Sequence, residues 1–127
     1  MSVTLPNASR NASCNAVVDL VDAGSGMGTL VLEAGTVEVA TLTFSSPAFG
    51  DAAAGVATAN AITDDSSAIG GTVDSFSVRD SDDNVVWEGS AGGPGSGADL
   101  ILSVTGGVVN AGEVLTAPAL TYTQPAS

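Results

Sequence analysis

Short runs of β-prone residues alternate along this chain with clusters of Gly, Asn, Asp and Pro, and this alternation constrains the fold more than any other feature. The runs lie at residues 29–33, 36–45, 56–62, 72–79, 84–88, 100–104 and 114–123. A two-residue alternation of apolar and polar positions is typical of strands, and turn residues between such runs are typical of hairpins. The sequence therefore predicts a mainly β fold, an antiparallel β-sandwich or barrel.

Two of the runs depart from simple alternation. Between Val37 and Phe44 the apolar positions change parity around Ala40-Thr41, which predicts a β-bulge or a strand buried on both faces. Pro118 lies within the last run and predicts an edge strand, because proline cannot donate to a ladder. Residues 90–97 contain four glycines and are interpreted as a mobile surface loop.

One helix is expected, near the start of the chain. From Ala8 to Val21 the apolar residues recur at helical spacing, with Asn7 as a candidate N-cap and Gly24 as a candidate stop. The stripe consists of Ala8, Ala12, Ala16, Val17, Leu20 and Val21. We therefore expect an N-terminal α-helical arm over residues 1–24 and a β-domain over residues 25–127 that forms a single globular unit.

The charge balance limits the possible partners. Fourteen acidic residues stand against Arg10 and Arg79, with no Lys or His, and the net charge is −12. Such a chain repels phosphate groups, so neither nucleic acid nor an anionic membrane is expected as a partner. Only five residues are aromatic (Phe 3, Trp 1, Tyr 1). A core of small side chains buries little area, so self-association or docking on an assembly would add stability.

The residue types do not favour catalysis or a bound cofactor. Without His or Lys, the chain lacks the usual general base, proton shuttle and Schiff-base residues. Cys14 is the only cysteine, and no cationic residue that would activate its thiol lies beside it in the sequence. We expect a chain that is not an enzyme, carries no cofactor and uses Cys14 as an inert core thiol.

One short segment has the spacing of a calcium loop. Asp80, Asp82 and Asn84 place oxygen-bearing side chains at alternate positions, as Ca²⁺ ligands often are. The remainder of an EF-hand is missing, because Val85 stands at the turn glycine and Ala91 at the bidentate glutamate. The simpler interpretation is a solvated hairpin tip. Calcium binding by these three residues, in an adhesion module, stays open as a remote alternative.

Several segments resemble a widespread group of small tailed-bacteriophage virion structural proteins. The central match is Ser-Ser-Pro-Ala-Phe-Gly at residues 45–50, followed by Gly-Val-Ala-Thr-Ala-Asn-Ala-Ile at residues 55–62. Further matches lie at residues 79–82, 88–90, 97–100 and 121–125. They consist mainly of turn glycines and small side chains, so they indicate a fold more than an activity.

The resemblance implies a structural component of a phage particle. Our leading hypothesis is a capsid decoration (cement) protein that bridges capsomers on the outer shell; a tail or head–tail junction protein is the alternative. The expected partners are the major capsid protein and further copies of the chain, as a homo-oligomer such as a trimer. The first residues lack a secretory signal pattern, so we expect synthesis in the host cytoplasm and residence on the virion. The expected contact residues lie on the arm and the glycine-rich loop: Val17, Leu20, Val21, Gly93 and Gly95.

Overall fold

The computed structural model of the chain confirms the predicted mainly β class with one N-terminal helix. It describes residues 4–24, 26–65, 68–102, 105–114 and 120–123. The helices are α1 (Asn7–Asp19) and two short 3₁₀ turns, Leu20–Asp22 and Thr105–Gly107. The strands are β1 (Thr29–Ala34), β2 (Val37–Phe44), β3 (Val56–Thr58), β4 (Ile62–Thr63), β5 (Gly71–Thr72), β6 (Ser75–Arg79), β7 (Val85–Gly92), β8 (Leu100–Ile101), β9 (Val108–Val109) and β10 (Thr121–Thr123).

Six strands form one curled sheet in the order β4-β2-β1-β6-β7-β8, which gives a half-barrel. Every neighbouring pair is antiparallel except β7 and β8, which are parallel. Two small ladders, β3 with β10 and β5 with β9, complete the described part of the sheet structure. Because the central strands alternate in direction, the β1–β2 turn lies at one end of the sheet and the β6–β7 turn lies at the other.

The concave face of the sheet carries the core. Leu30 pairs with Leu42 on one side and with Val78 on the other, and Leu32 pairs with Phe76. Side chains on adjacent strands at paired positions share a face, so the two-residue alternation of the sequence builds one apolar surface. All five of these side chains are buried.

The parity change in β2 is a β-bulge. Leu32 pairs with Ala40, but the next residue, Glu33, pairs with Glu38, so Val39 is the extra residue. Val39 and Ala40 are both fully buried although they are consecutive. The bulge lets both side chains reach the core, and this confirms the prediction of a bulge one position earlier than the sequence indicated.

The helical region buries only part of the predicted stripe. Val21, in the 3₁₀ turn after α1, is fully buried as predicted, and Cys14 and Val18 of α1 join it in the core. Ala8, Ala12 and Ala16 are exposed, so the alanine part of the stripe was wrong; alanine gains little from burial compared with valine. Asn7 is not the N-cap either: it lies inside the helix, and Pro6 precedes it without a side-chain cap. The chain leaves the helical region before Gly24, which has a φ of +100°.

The helix belongs to the same packed unit as the sheet. Its three buried side chains join one hydrophobic cluster with the central strands, and α1 packs on β3 and β10. The division into an arm over residues 1–24 and a β-domain over residues 25–127 stays a prediction, which deletion of residues 1–24 tests. No helix in the described ranges is long and apolar enough to cross a membrane.

The glycine-rich segment also differs from the prediction. Strand β7 continues to Gly92, and Ala91, Gly92 and Gly93 are buried. The backbone N–H of Leu102 donates to the Gly92 carbonyl at 2.7 Å, which brings the β8 segment against β7. A Cβ added at Gly92 would lie 2.7 Å from the Ser96 Oγ, so the position favours glycine. The predicted run at residues 56–62 is interrupted between β3 and β4, and Pro118 lies outside the described residues.

Candidate interaction surface

The segment that carries the family resemblance is held by helix α1. The Asn11 side-chain oxygen accepts from the Gly55 N–H at 2.8 Å, and Asn15 accepts from the Ala52 N–H at 2.9 Å. One turn beyond the helix, the Asp22 carboxylate accepts from the Ala48 N–H at 3.0 Å. These polar residues lie along one side of the helix, which we call the clamp face. The clamp satisfies backbone donors that would otherwise be left without partners in a partly buried loop.

Phe49 of the same segment anchors it to the sheet. Its ring lies 5.5 Å from that of Phe44 and 5.6 Å from that of Trp87, between centroids. Trp87 in turn lies 4.8 Å from Tyr122 on β10. Aromatic pairs at these distances and tilted angles are favourable. Residues 45–55 therefore connect the helix to the sheet through hydrogen bonds and ring contacts.

The predicted calcium residues form the tip of the β6–β7 hairpin. The Asp80 carboxylate accepts from the backbone N–H groups of Asp82 and Asn84, both at 2.9 Å, and from the Asn84 side-chain amide at 3.1 Å. The hydrogen bonds from Asn84, backbone and side chain, and from the Asp82 N–H lower the pKa of Asp80. Asp80 therefore already accepts three hydrogen bonds within its own turn, which leaves about one of the roughly four acceptor positions of its carboxylate for a cation.

Neither a metal cluster nor an activated thiol is present in the described parts of the chain. There, no group of three or more His, Cys, Asp or Glu side chains is placed to hold a metal ion. The Cys14 thiol is fully buried and donates to the Tyr122 carbonyl at 3.5 Å. Burial raises the pKa of Cys14, which opposes formation of the nucleophilic thiolate.

The five predicted contact residues do not form one surface. Leu20 is 54% exposed and Val17 is half-buried, whereas Val21 is fully buried in the core. Gly95 is exposed but Gly93 is buried. Val21 and Gly93 therefore offer no surface to a partner, because the chain's own core and the β7–β8 connection cover them.

A different set of exposed apolar side chains lies on neighbouring backbone segments at the end of the sheet that carries the β1–β2 turn. We call these side chains the aliphatic end. They are Val37 (63% exposed), Ile69 (59%), Val108 (48%) and Val114 (59%). The sequence did not predict this surface, because each of these residues flanks a turn and none of them belongs to a regular apolar pattern.

Backbone hydrogen bonds tie the three segments of the aliphatic end together. The Ile69 N–H donates to the Val39 carbonyl at 2.8 Å, and Thr72 pairs with Val108 between β5 and β9. The Gly112 N–H donates to the Ala68 carbonyl at 2.7 Å, and the Ala68 N–H donates to Glu113 at 3.3 Å. These bonds place Val37, Ile69, Val108 and Val114 on neighbouring segments of one ordered surface.

Acidic residues adjoin the aliphatic end along the chain. Glu38 follows Val37 and is exposed, Glu113 precedes Val114, and Asp74 accepts from the Gly35 N–H in the β1–β2 turn at 3.0 Å. A depression of about 410 Å³ beside this turn is lined by Glu33 and Glu88, among others. The surface therefore combines exposed aliphatic side chains with a negative rim.

The two basic residues of the chain are not among these side chains. Arg79 ends β6 towards the opposite end of the sheet; its guanidinium contacts Asp83 at 3.0 Å and reaches back to Glu33, one of the carboxylates beside the β1–β2 turn, at 3.8 Å. Arg10 lies on α1 and donates to Asn7.

No family model, curated protein or solved structure matches the chain. Functional inference therefore depends on the chain's own surfaces.

Proposed function

We propose that this chain is a structural component of a tailed-bacteriophage particle, a decoration protein that binds the outer capsid shell and stabilises neighbouring capsomers. The observation that carries the proposal is the aliphatic end: a small acidic domain leaves Val37, Ile69, Val108 and Val114 exposed on an ordered surface. Exposed apolar side chains that lie together mark contact surfaces, whereas isolated ones are ordinary.

The chemistry of the described residues supports a binding role over a catalytic one. Hydrogen bonds from the clamp face of α1 and the ring of Phe49 hold residues 45–55 against the rest of the fold. Asp80 is engaged in its own turn, and Cys14 is a buried thiol with a raised pKa. The Asp80 carboxylate and the Cys14 thiol are therefore used to hold the fold.

The charge supports the outer surface of a capsid. A net charge of −12 would be repelled by packaged DNA inside the shell. On the outside, many copies of a weakly binding domain act together on a lattice, so modest contacts at each site are sufficient. A tail or head–tail junction position is the alternative, and the number of copies per particle separates the two.

A head-stability experiment tests the proposal. Heads would be purified from phage in which the gene for this chain is deleted, and their DNA release would be followed on heating. We expect release at a lower temperature than from complete heads, and recovery when the purified chain is added. Identical release temperatures with and without the chain would reject the decoration role.

A further inference from the structure

We infer that the aliphatic end is the docking surface and that its partner is a protein surface with an apolar centre flanked by Lys or Arg side chains. The inference rests on the proposed function and adds the site and the chemistry of the partner. It follows from three properties of this end of the sheet: exposed aliphatic side chains, backbone segments joined by hydrogen bonds, and more carboxylates than basic side chains.

The aliphatic area distinguishes this end from the opposite one. Leu20, Met27 and Val85 are also exposed, but they lie towards the β6–β7 hairpin, where the turn carries several carboxylates and Arg79. At the aliphatic end, Ile69 and Val108 lie on adjoining segments without a cationic neighbour. The centres of protein interfaces are depleted of charged residues, and the aliphatic end matches that composition better than the hairpin end does.

The backbone of the aliphatic end is ordered before any partner arrives. Val39 accepts from Ile69, and Ala68 exchanges hydrogen bonds with the turn that precedes Val114. Within that turn, the Asn110 N–H donates to the Glu113 carboxylate at 2.7 Å. A surface that is already ordered loses less conformational entropy on binding, so more of the contact energy appears as affinity.

The rim selects the charge of the partner. Glu38, Asp74 and Glu113 carry negative charge around the aliphatic side chains, and the only basic residues of the chain are Arg10 and Arg79. Docking of a second copy through the same face would bring like charges together, which opposes association. A partner surface that carries Lys or Arg around an apolar centre complements both the carboxylates and the aliphatic side chains of this end.

A binding assay with heads that lack the chain tests the site. The variants Ile69→Asp and Val108→Asp alter the aliphatic end, and Met27→Asp and Val85→Asp are matched controls near the hairpin. All four positions are exposed, so thermal melts should match the wild type. Co-sedimentation with heads should fall at least about 10-fold for the first pair, because a charge would enter an apolar contact, and should stay within about 2-fold for the controls.

Charge reversal tests the chemistry of the partner. Glu38→Lys and Asp82→Lys change the net charge equally, one at the aliphatic end and one at the hairpin tip. We expect Glu38→Lys to bind heads several-fold more weakly than Asp82→Lys, and wild-type binding to weaken between about 0.05 M and about 0.5 M salt. Equal binding by the two variants, or binding that is indifferent to salt, would overturn the basic partner.

The outcomes separate this inference from the proposed function. If the wild-type chain does not bind heads, the decoration role fails and the inference fails with it. If the wild type binds and the aliphatic variants bind equally well, only the docking site is overturned. Sedimentation of the free chain should show a monomer, and a dimer that Ile69→Asp dissociates would show that the face is instead an interface between copies.

Discussion

The side-chain oxygen of Asn15 accepts a hydrogen bond from the backbone N–H of Ala52 at 2.9 Å, across 37 residues of sequence. Helix α1 is thereby fixed to the loop that leads into β3. Asn11 makes the equivalent contact to Gly55 one turn earlier. A helix of low apolar content thus attaches through polar side chains as well as through its few buried ones.

Replacing Asn15 tests this attachment. Asn15→Ala leaves the Ala52 N–H without its acceptor, so we expect a loss of about 1–3 kcal/mol in the free energy of unfolding. Asn7→Ala is the control, because Asn7 is exposed and its side chain accepts a hydrogen bond from its helical neighbour Arg10; it should cost under about 0.5 kcal/mol. Urea denaturation measures both values, and equal losses would contradict the role of Asn15.

Deleting residues 1–24 tests whether the helix is part of the folding unit. The deletion removes Val18 and Val21, each worth about 1.5–3 kcal/mol when buried, together with the clamp hydrogen bonds. Domains of this size are stable by only about 5–15 kcal/mol, so we expect the truncated chain to lose cooperative unfolding. A truncated β-domain that melts cooperatively near the wild-type temperature would support the separable arm.

The helix shows where sequence periodicity fails. Its element type and approximate bounds follow from the pattern, but its buried face does not. Helix α1 and the 3₁₀ turn after it carry an alanine stripe and a second stripe of Cys14, Val18 and Val21. The second stripe is buried, because larger apolar side chains gain more from burial. The polar clamp face was hidden from periodicity analysis because its Asn and Asp side chains bond to a loop that is distant in sequence.

Strand β2 shows the opposite result. Its parity change is a local property, because two consecutive buried residues need an extra residue in the ladder. The bulge could therefore be predicted from the sequence. The aliphatic end could not, since Ile69 and Val108 are brought together only by the β5–β9 ladder and by the hydrogen bond to Val39.

The Asp80 turn predicts a pH dependence. Hydrogen bonds lower the pKa of Asp80 below its ordinary value of 3.8, so its ionised form stabilises the fold. The contribution is present above pH 3.8 and is lost as the pH falls through the lowered pKa. We expect the wild type to melt at a higher temperature than Asp80→Asn at neutral pH, with a gap that narrows at acidic pH.

The control for this prediction is Asp82→Asn, at an exposed position of the same turn. Its carboxylate receives none of the turn hydrogen bonds that converge on Asp80. The melting temperature of Asp82→Asn should therefore track that of the wild type. A wild-type melting temperature that shows no added loss relative to Asp80→Asn, however far the pH falls below 3.8, would show that the Asp80 charge has no part in the turn.

Cys14 provides a probe of native packing. Its thiol is fully buried and its pKa is raised by that burial, so labelling requires the structure to open. We expect a thiol reagent at mildly alkaline pH to react at least about 100-fold more slowly with the folded chain than with the chain in denaturant, equivalent to an opening cost of about 3 kcal/mol. Equal rates would mean that α1 is not docked.

The central claim, a decoration role on a phage capsid, is tested most directly by counting copies of this chain in purified virions by quantitative mass analysis. The account predicts on the order of one copy per major capsid subunit, as expected for a protein that occupies a symmetric shell. A ratio on the order of one in a hundred would instead assign the chain to the tail or the neck. Absence of the chain from the particle would contradict the account.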